Sequence, residues 1–337
     1  MTKNNKKKKK QRRLLLAIYA LIGTAALLGT ATYAWFTANK TVSVNPIDVN
    51  VTAKSGLQIS ADGQNWKSIL TNTDITGASG NYKAAVNQIP NTLEPVSSVG
   101  TIDTTGKMEM FLGTVTANDE GNWILSSTKS TETNASGDAS TGAFVAYDLF
   151  LKSETATKIY LGADSKIVFA DAKDTGIKNA TRVGFVTLGH TTSDDTIANI
   201  QGLNTGTSSA VKIWEPNYDV HTSFGVANAR DTYAINTLTA AAGNAAVAYD
   251  GIKATFDKAA GITLGNAKQA SFADYFKTVT PDIKTPETNT DSNELVDLEA
   301  GVTKIRVYMW IEGQDVDCEN NASGGKISFS LKMSTEA

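Results

Sequence analysis

The sequence predicts an all-β sandwich with loop and short helical insertions. Three observations lead there. Thr, Ser, Asn, Asp and Gly are abundant, while 6 prolines in 337 residues leave few strands interrupted. Stretches with a sustained helical period are few. Short runs that alternate apolar and polar residues are many, and clusters of turn-forming residues separate them, the pattern of half-buried strands. The length allows one large domain or two smaller ones.

The first 34 residues stand apart. Lys3, Lys6 to Lys10, Arg12 and Arg13 precede an apolar run over 14–34, with no acid among them. Basic residues stay on the cytoplasmic side while such a run enters the translocon, so a nucleic-acid patch is not the reading. Thr32 and Ala34 are small residues three and one positions before the Ala34–Trp35 bond, as a signal-peptidase pocket requires. Residues 1–34 are expected to be a signal peptide, with Ala34 and Trp35 at the processing point. Residues 35–337 form the secreted β-sandwich domain. The alternative is a retained anchor, because a run of this length spans a bilayer.

With cleavage, the membrane is met only beforehand. Losing eight positive charges takes the formal net charge from −3 to −11. That excludes binding of nucleic acid or anionic lipid through a general field. The single cysteine, Cys318, excludes an internal disulfide, so stability must come from the core. A buried thiol and pairing between chains are the two readings of Cys318.

Along the chain, residues 41–53 alternate. Val42 and Val44 share one face, and Ile47, Val49 and Val51 the next, after a phase change at Asn45-Pro46 where the proline predicts a bulge or an edge. Residues 57–60 form a second short strand, and Ala61-Asp62-Gly63-Gln64 a turn. Residues 71–106 read as loop with short strands. Residues 108–115 and 123–125 predict a hairpin. Residues 144–151 (FVAYDLFL) are nearly continuously apolar, a central strand covered on both faces. Asp148 inside it needs a partner, since a lone buried carboxylate is costly. Strands follow at 158–161, 166–170 and 182–188, and another ends before Pro216-Asn217. Residues 226–294 read as an insertion, where Phe272, Tyr275, Phe276 and Val279 have helical spacing. The ends of 304–333 predict a terminal hairpin. Ile305, Val307, Met309 and Ile311 occupy one face, opposite Arg306, Tyr308 and Trp310, and Ile327, Phe329, Leu331 and Met333 repeat the pattern.

Thr32-Tyr33-Ala34-Trp35-Phe36-Thr37 resembles the junction of SipW-type signal peptides, carried by the TasA and camelysin family of secreted bacterial proteins. The acid that often follows is absent from Thr37-Ala38-Asn39. Trp310-Ile311-Glu312-Gly313-Gln314-Asp315 is similar to the ending of many SipW-signal proteins. The resemblance implies a jelly-roll-like sandwich, a signal peptidase of the SipW type as processing partner, and extracellular fibres of the biofilm matrix. The low cysteine use fits a Gram-positive or anaerobic exporter.

The chemistry is sparse. Camelysin-like relatives have been classed as metallopeptidases. A zincin needs two His one helical turn apart with a Glu between, whereas His190 and His221 lie 31 residues apart. Ser126-Ser127-Thr128-Lys129 matches Ser-x-x-Lys by letters, without its partner motifs. Asp315, Asp317, Glu319 and Asn321 alternate oxygen ligands, as a Ca²⁺ loop does, but the sixth-position Gly and closing Glu of an EF-hand are missing. No cofactor is expected, with Ca²⁺ at this loop as the alternative.

The expected function is structural and non-enzymatic. The chain is read as a secreted or surface-located homopolymer in which Val42, Val44, Ile47, Val49 and Val51 anchor a donated strand. Strand addition supplies affinity through main-chain hydrogen bonds, and a heterologous contact of this kind builds open filaments. Pairing of the strand within its own sandwich is the competing reading. The alternatives in function are a monomeric adhesin or carbohydrate-binding module, with Trp66, Trp123 or Trp214 as platform, and a secreted metallopeptidase.

Overall fold

The computed structural model describes residues 42–44, 48–52, 56–117, 123–132, 142–169, 175–204, 211–233, 235–243, 251–253, 262–263, 276–284, 293–318 and 326–335. The first strands in chain order are β1 (Val42–Val44), β2 (Asp48–Thr52), β3 (Gln58–Ser60), β4 (Ile69–Leu70), β5 (Asn87–Gln88), β6 (Thr92–Leu93), β7 (Val96–Ile102), β8 (Met108–Ala117), β9 (Trp123–Ser130) and β10 (Val145–Ser153). They continue with β11 (Thr157–Leu161), β12 (Lys166–Phe169), β13 (Thr181–Thr191), β14 (Val211–Trp214), β15 (Gly251–Ile252), β16 (Ile262–Thr263) and β17 (Phe276–Lys277). β18 (Glu294–Leu298), β19 (Gly301–Ile311) and β20 (Lys326–Thr335) close the series. Among the described residues three short α-helices interrupt it: α1 (Asn72–Thr76), α2 (Ile197–Gly202) and α3 (Ser223–Tyr233).

The fold is all-β, a jelly-roll-like sandwich with loop and short helical insertions. One sheet runs β14-β13-β19-β10-β3, with β5 also on β10. The other is organised on β20, which pairs with β11 and β12 antiparallel and with β1 and β2 in parallel. β18, β4 and β6 extend it. Between the two sheets lies the main core. Val145, Tyr147, Leu149, Ile305, Val307, Met309 and Ile311 come from one side, and Ile327, Phe329, Leu331 and Met333 from the other. A third sheet, β16-β9-β8-β7, supplies Val96, Met108 and Met110 to a second core against Phe144, Tyr308 and Trp310. β19 is therefore buried along its whole length. That explains why both its alternating faces are rich in large side chains.

Several sequence readings meet their counterparts here. Residues 145–151 of the 144–151 run lie in β10, an interior strand of its sheet between β19 and β3, and are buried on both faces. β8 and β9 form the expected hairpin, in register from Met110↔Ser130 to Ala117↔Trp123. The Ala61–Gln64 turn is built on Asp62. Its Oδ1 accepts from the backbone N–H of Gln64 and Asn65 at 2.9 and 2.8 Å, and Gly63 takes φ +70, a region open to glycine.

Two readings are corrected. β19 and β20 are not a hairpin. β19 pairs with β10 and β13 in one sheet, and β20 belongs to the other. Their matching apolar faces meet across the core rather than side by side. The helical spacing ending at Phe276 and Val279 does not make a helix there. Phe276 lies in β17, paired with β15 through Ile252, and residues 264–275 lie outside the described set. Among the described residues of this region the helix is α3, at its N-terminal boundary.

Candidate functional site

The N-terminal strands come first. β1 is in register with the start of β20, Val44 opposite Ile327, and with β6, Val42 opposite Leu93. β2 continues along β20, Val49 opposite Leu331 and Val51 opposite Met333, and its far edge pairs with β4. Within the single chain, then, this segment pairs with its own sheet. Ala34, Trp35 and Ile47 lie outside the described residues, as does the apolar run at 14–34. Among the described residues no helix is long and apolar enough to cross a membrane.

The acidic segment after β19 is not a solvated tip where it is described. Asp315 and Asp317 are buried. Arg182, from the start of β13, places Nη2 2.5 Å from Asp315 Oδ2 and 2.9 Å from Glu215 Oε1. Asp317 accepts from His221 Nδ1 at 2.9 Å and from the Thr222 N–H and hydroxyl at 2.9 and 2.8 Å. Burial works to lower the His221 pKa, but Asp317, Asp315 and Glu215 outweigh it and raise it. Burial pushes the Asp315 carboxyl up despite Arg182. It also pushes Glu312 up to about 7. Glu312 meets the N–H of Ser98, Trp310 Nε1 and the N–H of Gln314. Both aspartates thus face cationic or N–H and O–H donors. Among the described residues no group of three or more His, Cys, Asp or Glu is arranged to hold a metal, and Glu319 lies outside them.

A second buried network crosses the centre of the β10/β19 pair. Asp148 stands opposite Arg306, and Phe150 opposite Lys304. Arg306 Nε donates to Asp148 Oδ1 at 2.7 Å, and Nη1 to Glu132 Oε1 at 2.8 Å. Lys304 Nζ lies 3.5 Å from Asp148 Oδ2 and donates to the Tyr82 hydroxyl at 2.7 Å. The Tyr308 hydroxyl donates to Glu132 Oε1 at 3.1 Å. Burial tends to raise the Asp148 pKa, yet Arg306 and Lys304 outweigh it and hold it low. Burial lowers that of Lys304. The sequence calls for a partner for Asp148 without locating it. The available signal is two cations, Lys304 and Arg306, inside an otherwise apolar strand.

The two histidines are not brought together. His190 Nδ1 meets Thr303 Oγ1 at 3.2 Å at the far end of β13 from Arg182, while His221 sits with Asp317 in the Arg182 cluster. Of the three platform tryptophans, Trp214 is buried in the core and is removed from that role. Trp66 is half-buried beneath Lys152 Nζ, 5.4 Å from its ring centre. The Trp123 side chain lies outside what is described. A hollow of about 330 Å³ is lined by Asp62, Asn65, Lys67, Thr73, Asp74 and Asn81, among others; Trp66 lies between two of these in sequence but packs against the main core. Thr71 and Asp74 close a capping box at its rim, at the start of α1.

No family model matches the chain, and neither the curated proteins nor the solved structures contain a match.

Proposed function

We propose that the chain is an exported structural protein, a subunit of extracellular biofilm-matrix fibres joined by β-strand donation. The observation that supports this reading is the seam at β20. The first strands after the Ala34–Trp35 junction lie parallel to β20, in a sheet whose other pairings are antiparallel. They join it through main-chain pairing over two short segments, Val42–Val44 and Asp48–Thr52. A neighbour's strand offers the same backbone groups in the same register, so a chain's own strand and a donated one are alternatives at one seam. Donation from each chain to the next is heterologous and propagates. In this reading Val42, Val44, Ile47, Val49 and Val51 are the anchors, and release at Trp35 frees the segment to move.

Negative-stain microscopy of the chain beginning at Trp35, beside one lacking residues 35–53, tests this. Filaments from the first and folded monomers from the second are expected. A first chain that stays monomeric at high concentration overturns the proposal.

The hollow at Asp62, Asn65 and Asn81 favours a second reading, a surface adhesin or carbohydrate-binding module. Amide and carboxylate groups converging on a concave site suit the hydroxyls of a sugar. Glycan-dependent quenching of Trp66 fluorescence is its expected signature.

A further inference from the structure

An amine and a carboxylate are enclosed together at the centre of the β10/β19 pair. Asp148 and Lys304 are diagonal neighbours on one face, since Asp148 pairs with Arg306 and Phe150 with Lys304. Diagonal backbone positions are about 7–8 Å apart, within reach of a lysine side chain. Both side chains are almost wholly buried, at 4% exposure for Lys304 and 0% for Asp148, and Nζ lies 3.5 Å from Asp148 Oδ2. The rings of Tyr82 and Phe150 flank Nζ, at 5.2 and 5.7 Å.

We propose that the folded chain joins Lys304 to Asp148 through an intramolecular amide bond, Nζ to Cγ, releasing one water.

The surrounding groups supply what such a condensation needs. Lys304 Nζ donates to the Tyr82 hydroxyl at 2.7 Å, and that hydroxyl donates to Asp148 Oδ2 at 3.2 Å. A proton passed along this path leaves a neutral amine and a carboxylic acid protonated at Oδ2. The Nζ lone pair then forms a bond to Cγ, and the π electrons of the carbonyl move onto Oδ1. Arg306 Nε, 2.7 Å from Oδ1, stabilises that oxyanion as a fixed donor does in acyl transfer. The carbonyl re-forms at Oδ1 as the Cγ–Oδ2 bond breaks. Oδ2 keeps its proton, takes a second from nitrogen through Tyr82, and departs as water.

The balance closes without an added reagent. One ammonium and one carboxylate become one amide and one water, so no oxidant, reductant or cofactor enters. Charge also closes. Before reaction Lys304 and Arg306 face Asp148 and Glu132, and afterwards Arg306 retains Glu132 at 2.8 Å. Two buried ions are replaced by a neutral group, which removes their desolvation penalty. Burial that depresses the Lys304 pKa favours the same neutral amine. Arg306 and charged Lys304 hold the Asp148 carboxyl low, and once the amine is neutral only Arg306 still opposes its protonation. The bond would staple the two central strands of a chain whose single cysteine leaves no internal disulfide. It does not depend on whether the chain forms fibres.

The test is the intact mass of the purified full-length protein under denaturing conditions, with its N-terminus identified. A mass one water below that of the sequence is expected, and proteolysis should yield a branched peptide joining the Lys304 and Asp148 segments. Lys304→Arg and Asp148→Ala should each restore the full mass. Tyr82→Phe should give a mixture of the two masses, and complete conversion there would overturn the relay. An unmodified mass for the native sequence overturns the proposal, without recourse to any variant. So does a water loss mapped to Asp62-Gly63 or Asp250-Gly251, where succinimide formation also releases water.

Discussion

Nδ1 of His221 lies 2.9 Å from Oδ2 of Asp317, with both side chains buried. The pair ties the start of α3 to the segment after β19. The folded pKa of His221 is raised above the ordinary 6.5 of histidine, so its stabilisation is complete below pH 6.5 and is lost as pH rises through the folded value. Glu312 acts in the same direction. Its pKa rises from 4.5 to about 7, so the folded state binds the proton more tightly and stability falls as pH climbs between those values. The depressed carboxylates oppose this only in acid. Asp103, at about 2, contributes above its ordinary value and loses that contribution as pH falls toward 2. Thermal unfolding should therefore give a higher Tm near about pH 5 than near about pH 8, with a fall below about pH 4. His221→Gln keeps a donor beside Asp317 and removes the titration, and should flatten the basic limb.

Arg306 bridges Glu132 and Asp148, and of the two cations beside Asp148 it is the closer. Arg306→Met removes both contacts and leaves the Glu132 carboxylate in the interior without its guanidinium, whether or not Asp148 is joined to Lys304. Breaking one side of a buried ion pair costs about 3–5 kcal/mol. A loss of stability of that size is expected, read from the denaturant midpoint at unchanged m. A loss below about 1 kcal/mol would place this network with ordinary surface pairs.

Gly225 lies in α3 beside Asp317. A Cβ added there would overlap Asp317 Oδ1. The carboxylate could retreat only by giving up the Thr222 N–H and hydroxyl. Gly225→Ala should destabilise the chain by about 1–3 kcal/mol, the usual range for overpacking. At Gly202, the end of α2, an added Cβ would meet nothing within 4 Å. There Gly202→Ala should be neutral or stabilising by up to about 1 kcal/mol, through helix propensity. Parallel thermal melts of the two variants separate crowding from backbone entropy.

These residues show what the sequence can and cannot disclose. Alternation at Ile305, Val307, Met309 and Ile311 identifies a strand with two distinct faces, and the structure has that strand. Alternation carries no information on which strand lies beside it. The same pattern at Ile327, Phe329, Leu331 and Met333 therefore suggests a hairpin partner, whereas these residues belong to the facing sheet. The ion networks are hidden for a related reason. Asp148 and Arg306 are 158 positions apart, and local spacing cannot join them. By contrast the capping box at Thr71 and Asp74 is legible as a Thr-x-x-Asp signature, yet its polar surroundings read as loop. Asp315 and Asp317 look like the ligands of an exposed cation loop because alternate carboxylates usually are solvated. Arg182 and His221 instead make burial tolerable.

Cys318 follows directly from that burial. Its side chain sits in the main core, and its backbone N–H donates to the Asp315 carbonyl at 3.0 Å. Reaching the thiol requires opening the segment that Arg182 and His221 hold. A thiol-specific reagent should therefore label the native protein at least about 100-fold more slowly than the denatured chain, because labelling waits on local opening. His221→Gln should speed native labelling, and Arg182→Met should speed it more, since Arg182 contacts two carboxylates. Non-reducing electrophoresis should show single chains, as a thiol held in the core does not meet a second copy. Rapid native labelling, or disulfide-linked dimers from folded protein, would mean that the segment after β19 opens readily and that its ion pairs do not secure it.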